Sequence, residues 1–559
     1  MSLRREELCW YGWGRRDEAV AFPPERAELL LGELARRLGT ALEPAPVRCA
    51  LEELKLPASR VDDTLLDRLR EACGREAVHQ DVATRAWHAV GRGLPDLLRL
   101  RLGELERAPD AVVFPGSEQA VAALLRVADE ADCAVVPFGG GTSVIGGVEP
   151  LHAERQRAVI ALDTTRLDAV VKIDGEGGLA TFQAGIDGPA LEAALAAHGL
   201  TLGHFPQSFE YSTLGGWIAT RSSGQQSNGY GSIEDLVVAL RMVTPKGVVR
   251  TLEVPRAASG PDLNELVLGS EGSLGVIVEA TLRVSRAPVC SDDRGMLFPS
   301  FRQGVAAARE MVQSGVGLGM LRLADGAETE LGLMQRRDPA RGFDPAELLF
   351  SWLEGRGYGQ GRSLFLYGAE GEHARDVKTR VGRARRVGRR HGGFALGRSP
   401  GRHWRRERFA TPYLRDWLLD RGVAVDTFES AFSWSRIEEA HATVLAALEA
   451  AGREHAGGAI AMAHLSHSYL DGACLYFTLL YPLARPLASE RVVSQWRAIK
   501  RDVTDAIVKA GGTVSHHHGV GVDHREWLPE EKGALGMDLL RAAKSTLDPS
   551  GVMNPGKLL

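Results

Sequence analysis

The sequence predicts an α+β protein, and three observations carry that prediction. Apolar runs of strand length, Ala111-Val112-Val113-Phe114, Ala134-Val135-Val136 and Val159-Ile160-Ala161-Leu162, surround a helical pattern from Glu118 to Glu130. Alternation in Ala473-Cys474-Leu475-Tyr476-Phe477-Thr478-Leu479 marks a sheet strand. From Pro24 to Val90 the pattern is instead helical, with Leu29, Leu30, Leu34 and Leu65, Leu66, Leu69 on faces that otherwise carry Arg and Glu.

The 559 residues suggest about two to four domains. A hydrophobic fraction of 44% with 25% charged residues is the mix of a soluble globular protein, and a formal charge of −5 gives no reason to expect nucleic acid as a partner. Six scattered cysteines without a Cys-x-x-Cys pair argue against a disulfide framework or a thiolate zinc site and fit a reducing compartment. With no signal peptide and no long apolar run, the expected location is the cytoplasm or a peripheral position on a membrane face.

Taken in order, the opening Trp10-Tyr11-Gly12-Trp13-Gly14 reads as aromatic anchors packed on another domain. Gly91-Arg92-Gly93-Leu94-Pro95 reads as a linker, with a short helix from Asp96 to Leu102. Ser117 caps the helix that separates the first two strands. The second strand runs into Pro137-Phe138-Gly139-Gly140-Gly141-Thr142-Ser143-Val144, a loop of exposed amides suited to a diphosphate, because glycine lets the main chain approach an anion closely. A strand at Leu179 to Ala184 and a helix at Pro189 to His198 lead to a second stretch, Gly203 to Thr220. It is dense in small, hydroxylated and glycine positions where a flat ring could lie. A third, Leu268 to Ile277, turns tightly into a strand.

Further on, Arg336 to Gly342 reads as a mobile surface loop. The basic run Arg383, Arg385, Arg386, Arg389, Arg390, on a helix stopping at His391-Gly392-Gly393, is either a solvated face or a dock for anionic lipid. Asp426-Thr427-Phe428-Glu429-Ser430 is a strand, Glu490 to Ala510 a helix, and Val514 to Gly521 carries His516, His517 and His518. Consecutive residues point in different directions, so the three cannot easily share one metal, and none is expected. One or two of them can line a pocket as proton donors or acceptors. The end, Gly551 to Lys557, has phosphate-loop spacing but no following Ser/Thr, and Lys557-Leu558-Leu559 is not a Ser-Lys-Leu address.

The three glycine-bearing stretches together resemble the FAD-binding segments of the vanillyl-alcohol oxidase type of flavoprotein. That resemblance implies a PCMH-type FAD-binding domain of two α+β subdomains, with an α/β cap domain over the flavin and helical N- and C-terminal segments. The implied division is 1–105, 106–288, 289–500 and 501–559, the last returning to the FAD domain. A Rossmann site is not implied, since six residues from Gly139 end on Val144. The implied cofactor contacts are Pro137, Phe138, Gly139, Gly140, Gly141, Thr142, Ser143 and Val144; Gln207, Ser208, Ser212, Thr213, Gly215, Gly216, Thr220, Ser223 and Gly224; and Glu271, Gly272, Leu274, Gly275 and Ile277. FAD is expected to be non-covalent, because relatives that tether it place a histidine inside the glycine loop.

Within this superfamily the histidine run, Tyr476, Arg415 and the aromatic opening resemble the alkyldihydroxyacetonephosphate synthase family. The resemblance implies exchange of the acyl group of acyl-dihydroxyacetone phosphate for a long-chain fatty alcohol, with the three-carbon unit held through flavin N5 and no net redox. It implies Tyr476, His516, His517, His518, Arg322 and His204 as catalytic and Arg415 as substrate-binding. It also suggests peripheral membrane contact and a homodimer. One departure is Gln207, where the family pattern has an aspartate. The alternative is an FAD-dependent dehydrogenase of a 2-hydroxyacid or alcohol. Against it, the Gly-Asp-Gly-Asn motif of those enzymes reads Leu470-Asp471-Gly472-Ala473 here, and their glutamate is His517.

Overall fold

A computed structural model describes residues 5–18, 20–45, 48–336 and 345–559. Its α+β architecture has three main sheets. The first has the order Val78–His79, Ala111–Val113, Ala158–Asp163, Cys133–Phe138. Its last three strands are parallel and completely apolar in their central positions, as a sheet covered on both faces requires. The helix Glu118–Glu130 makes the crossover, capped by Ser117, whose Oγ accepts from the Ala120 amide at 3.1 Å.

The second sheet is antiparallel, in the order Val170–Asp174, Leu179–Gln183, Val276–Arg283, Val237–Thr244, Gly247–Arg250. The third has seven antiparallel strands: Phe394–Gly397, Cys290–Phe298, Ser363–Gly371, Met320–Ala324, Ile460–Ser468, Gly472–Pro482 and Val423–Ser433. Helices Phe301–Gln313, Ala374–Arg390, Ile437–Ala456 and Ser489–Lys509 pack on it around a core that includes Phe298, Phe365, Phe428, Phe477 and Tyr481.

Several expectations need correction. The N-terminal segment is not purely helical, because Val78–His79 pairs antiparallel with Ala111–Val113 and joins the parallel sheet; two residues are too few to leave a period in the sequence. Gly91 to Pro95 is no linker: Gly91 and Gly93 lie against the glycine loop, and the helix that follows starts at Leu94. The loop expected after Arg336 lies outside the described residues. The aromatic opening is an anchor. Trp10 and Trp13 are buried, the Trp13 ring meets Tyr211 edge-on at 5.8 Å, and its amide donates to Asp416 Oδ2 at 2.6 Å. The chain's last residues come back to the parallel sheet. Val135 N donates to Val552 O, and Asn554 N to Val135 O, both at 2.8 Å.

Candidate active site

The three glycine-bearing stretches meet. A Cβ on Gly139 would lie 2.3 Å from Thr213 Oγ1, one on Gly140 1.7 Å from Tyr211 O, and one on Gly272 2.9 Å from Pro137 Cγ. At these positions only glycine lets the segments close on one another. Beside the loop is a narrow cleft lined by Phe138, Gly140, Gly141 and Thr142 together with Arg5, Trp13, Trp87 and Arg92. Arg5 is braced rather than free: it donates to Asp163 and to Gly139 O, while Asp163 is also bonded to His88 Nε2 at 2.8 Å. The buried hydroxyl of Thr213, beside Gly139, has no hydrogen-bond partner. A glycine-loop backbone, a buried hydroxyl without a partner among the described residues and two guanidiniums around one cleft fit the diphosphate of FAD.

The other residues expected at the cofactor make contacts within the protein as well. Gln207 is exposed and donates to Arg408 O at 2.7 Å. Ser143 Oγ accepts from Gly147 N, Ser208 O from Ser212 Oγ, and Thr220 Oγ1 donates to Gly216 O. Ser223 Oγ meets Ser232 Oγ at 2.8 Å, and Gly224 closes on Phe205 N. Leu274 and Ile277 are buried in the core beside the second sheet, and Gly275 is required by Val243 O, 2.5 Å from where its Cβ would be. Glu271 reaches the segment that follows the histidine run. Its carboxylate accepts from Val520 N at 2.5 Å and Gly521 N at 2.7 Å, and burial raises its pKa to about 7.

The second constellation is built by sheet register. Glu429, Tyr476 and His464 occupy facing positions on three neighbouring strands, so their side chains share one face. Tyr476 stacks on His464 with centroids 5.0 Å apart, and on His517 at 6.0 Å, while His518 meets it edge-on at 5.7 Å. Arg322 reaches His464 Nε2 at 2.9 Å and Glu328 at 2.6 Å, and Glu328 bonds His464 Nδ1 at 2.8 Å. The loop of three histidines is clamped from below by Glu429, which accepts from Ser515 Oγ at 2.6 Å and from the amides of His516, His517 and His518. His467, stacked on His516 at 5.2 Å, completes the array.

Arg415, on the helix Thr411–Leu419, shares this electrostatic neighbourhood with Tyr476 and Asp426. Burial lowers its pKa, its Nε has no hydrogen-bond partner, and among the described residues no carboxylate forms an ion pair with it. Burial raises the Tyr476 phenol to about 12. His204 is not part of the array: it is fully buried against Trp217 and bonded to Ser222 Oγ at 3.1 Å. The sequence reading missed Glu429, His464 and His467 as site residues.

Glu429, Cys474, His516 and His517 offer ligand atoms within 4.8 Å of one another, closer than the consecutive-histidine argument anticipated. The Glu429 oxygens already accept four protein donors, about as many as a carboxylate has lone pairs. Burial, aided by that carboxylate, also holds the Cys474 thiol protonated. The group therefore works as a hydrogen-bond hub.

The histidines set the acid limit of the fold. His204 and His524 are pushed down to about 3, and His464, His467, His516, His517 and His518 are lowered too, burial being the first cause throughout. A folded pKa below the unfolded value of about 6.5 means the unfolded chain takes up protons that the folded one refuses. The contribution of these histidines is thus full above about pH 6.5 and lost as pH falls below it. The seven histidines outnumber the buried carboxyls of Asp96, Glu271 and Asp523, whose raised pKa acts with the opposite sign, so the thermal midpoint is expected to drop from about pH 6.5 towards about pH 4.5; a flat profile over that range contradicts the burial argument.

The glycine cradle and the overlying sheet define a flavoprotein of the FAD-linked oxidase class. The family described as "FAD binding domain" matches residues 109–253, and "FAD linked oxidases, C-terminal domain" matches 295–558. The chain is 33% identical to an alkyldihydroxyacetonephosphate synthase of Trypanosoma brucei brucei over 99% of this chain and 92% of that one, and 32% identical to one of Caenorhabditis elegans over 100% and 96%. A solved structure of alkyldihydroxyacetonephosphate synthase superposes with a TM-score of 0.83 at 29% identity, covering 98% of both chains. The chain belongs to the alkyldihydroxyacetonephosphate synthase family, and its cofactor is FAD.

Proposed function

We propose that the chain is an FAD-dependent alkyldihydroxyacetonephosphate synthase that replaces the acyl group of acyl-dihydroxyacetone phosphate with a long-chain fatty alcohol, forming the ether bond of ether lipids. The bond between the fatty carboxylate and the three-carbon unit breaks, the alcohol oxygen takes its place, and the alcohol's proton leaves with the fatty acid. No net electrons are transferred. When bound, FAD supplies a ring that can take up and return an electron pair within one turnover. The observation that carries the reading is the array itself: a neutral tyrosine between neutral histidines, beside an arginine that forms no ion pair among the described residues.

In that reading the histidines are uncharged at neutral pH and accept the carbon-bound proton, while the Tyr476 hydroxyl remains a donor. Arg415 binds the substrate phosphate or the departing carboxylate, for which its planar fork is suited. Arg322 and Glu328 fix the His464 ring, and His464 in turn holds Tyr476. The working division of labour places FAD binding before residue 288 and the catalytic array in the sheet that follows it, supported by the seven strands that begin at Cys290.

FAD-loaded protein incubated anaerobically with acyl-dihydroxyacetone phosphate and a fatty alcohol, without electron acceptor, is expected to release alkyl product and fatty acid in equal amounts. No product rejects the reading, and flavin bleaching by a 2-hydroxyacid would favour the dehydrogenase. Arg415→Met is expected to raise KM for the phosphorylated substrate by about 10- to 100-fold, the loss of one charge-assisted contact. Its thermal midpoint should not fall, since an unpaired buried charge is removed; an unchanged KM assigns Arg415 elsewhere.

Among the described residues no helix is long and apolar enough to cross a membrane. Peripheral contact is supported by two elements. The helix Ala374–Arg390 exposes Arg375, Lys378, Arg385, Arg386 and Arg389, although Arg383 and Arg390 are held by Ser314 O and Glu310. The helix Pro345–Glu354 exposes Leu348, Leu349 and Trp352, and the Trp352 ring meets Phe394 at 5.9 Å. Co-sedimentation with anionic but not neutral vesicles is expected; equal binding to both removes the basic helix from the argument.

A further inference from the structure

The turn Gly91-Arg92-Gly93 forms a wall of the FAD site. Arg92 N donates to Ser143 O at 2.6 Å. A Cβ on Gly91 would lie 2.2 Å from Ser143 O, and one on Gly93 2.8 Å from Val144 O, so both positions need glycine for the turn to press on the loop. Arg92 thereby lines the same cleft as Gly140, Gly141 and Thr142. There its guanidinium donates to Gly91 O at 2.9 Å and lies 5.5 Å from the Trp87 ring centroid. Among the described residues no carboxylate pairs with it, whereas Arg5 in the same cleft is already committed to Asp163.

A half-buried guanidinium that forms no ion pair among the described residues, and whose attraction to Asp96 and Asp416 does not offset its desolvation, is suited to an anion held on the neighbouring loop backbone. We propose that Arg92 supplies the charge that holds the FAD diphosphate over Gly140–Thr142, and that it sets the preference for a flavin dinucleotide over flavins without a diphosphate. The desolvation that lowers its pKa to about 10 also strengthens its attraction for an anion.

This rests on FAD occupying the glycine cradle, so FAD binding by the wild-type apoprotein, followed by flavin fluorescence quenching, is the control. If the wild type fails to bind, the cradle assignment fails first. Given binding, Arg92→Met is expected to weaken FAD affinity by about 10- to 100-fold, to leave riboflavin affinity unchanged, and to flatten the salt dependence of FAD binding. The apoprotein melting temperature should stay the same or rise, because an unpaired charge has been removed. Arg92→Lys, which keeps the charge but loses the fork, should recover part of the affinity and the salt dependence. Equal FAD affinity in Arg92→Met and wild type overturns the proposal. So does a parallel loss of FAD affinity and apoprotein stability in both variants, which would mark Arg92 as a brace for the turn only.

Discussion

Tyr476→Phe is expected to lower the rate of ether formation by about 100- to 10,000-fold, the usual span for loss of one positioned proton-transfer group. The substitution removes a single hydroxyl from a ring whose place is fixed by His464 on one side and His517 on the other. FAD content and thermal midpoint should therefore match the wild type, and kcat should fall with little change in KM. Turnover and the flavin spectrum, measured on the same preparation, check both halves. A near wild-type rate would reduce Tyr476 to a packing residue between two imidazoles.

Glu429 gives the second large effect. Its carboxylate is the common acceptor for Ser515 Oγ and three successive amides, and it is almost completely buried. Glu429→Ala leaves those donors without partners in a dry site, which costs roughly 3–5 kcal/mol by analogy with breaking a buried charged network. Glu429→Gln keeps the shape but turns one acceptor into a donor facing amide N–H groups, so it is also expected to fail. Chemical denaturation gives the stability loss, and turnover should vanish in both variants. Retained activity in Glu429→Ala would mean that the histidine loop holds its conformation unaided.

How much of this was legible in the sequence depended on how local the signal was. The glycine loop announces itself, since an apolar strand followed by three glycines admits few readings, and the structure gives Gly141 the left-handed φ of 69° that such a loop needs. Tyr476 was legible as a sheet residue from the alternation around it. Glu429 and His464 were not legible as site residues, because each meets Tyr476 only through strand register, and no short window shows which strands will be neighbours. The same limit hid the partners of Glu271, a residue named from the third glycine stretch, whose carboxylate serves residues far along the chain. His204, whose place beside a cofactor-like stretch suggested chemistry, lies buried against Trp217, apart from the histidine array. Gly91-Arg92-Gly93 looked like a linker because two glycines around a charge look the same whether they face solvent or a neighbouring backbone.

The return of Val552–Asn554 to the Cys133–Phe138 strand bears on biosynthesis. Asn554 also donates through Nδ2 to Glu271 O at 2.7 Å, so one late side chain spans both halves of the dinucleotide cradle. Until residue 554 has left the ribosome the parallel sheet lacks this neighbour and the cradle is open along one side. Retention of the coenzyme should accordingly depend on this segment, and a nascent chain stalled upstream of it should emerge colourless.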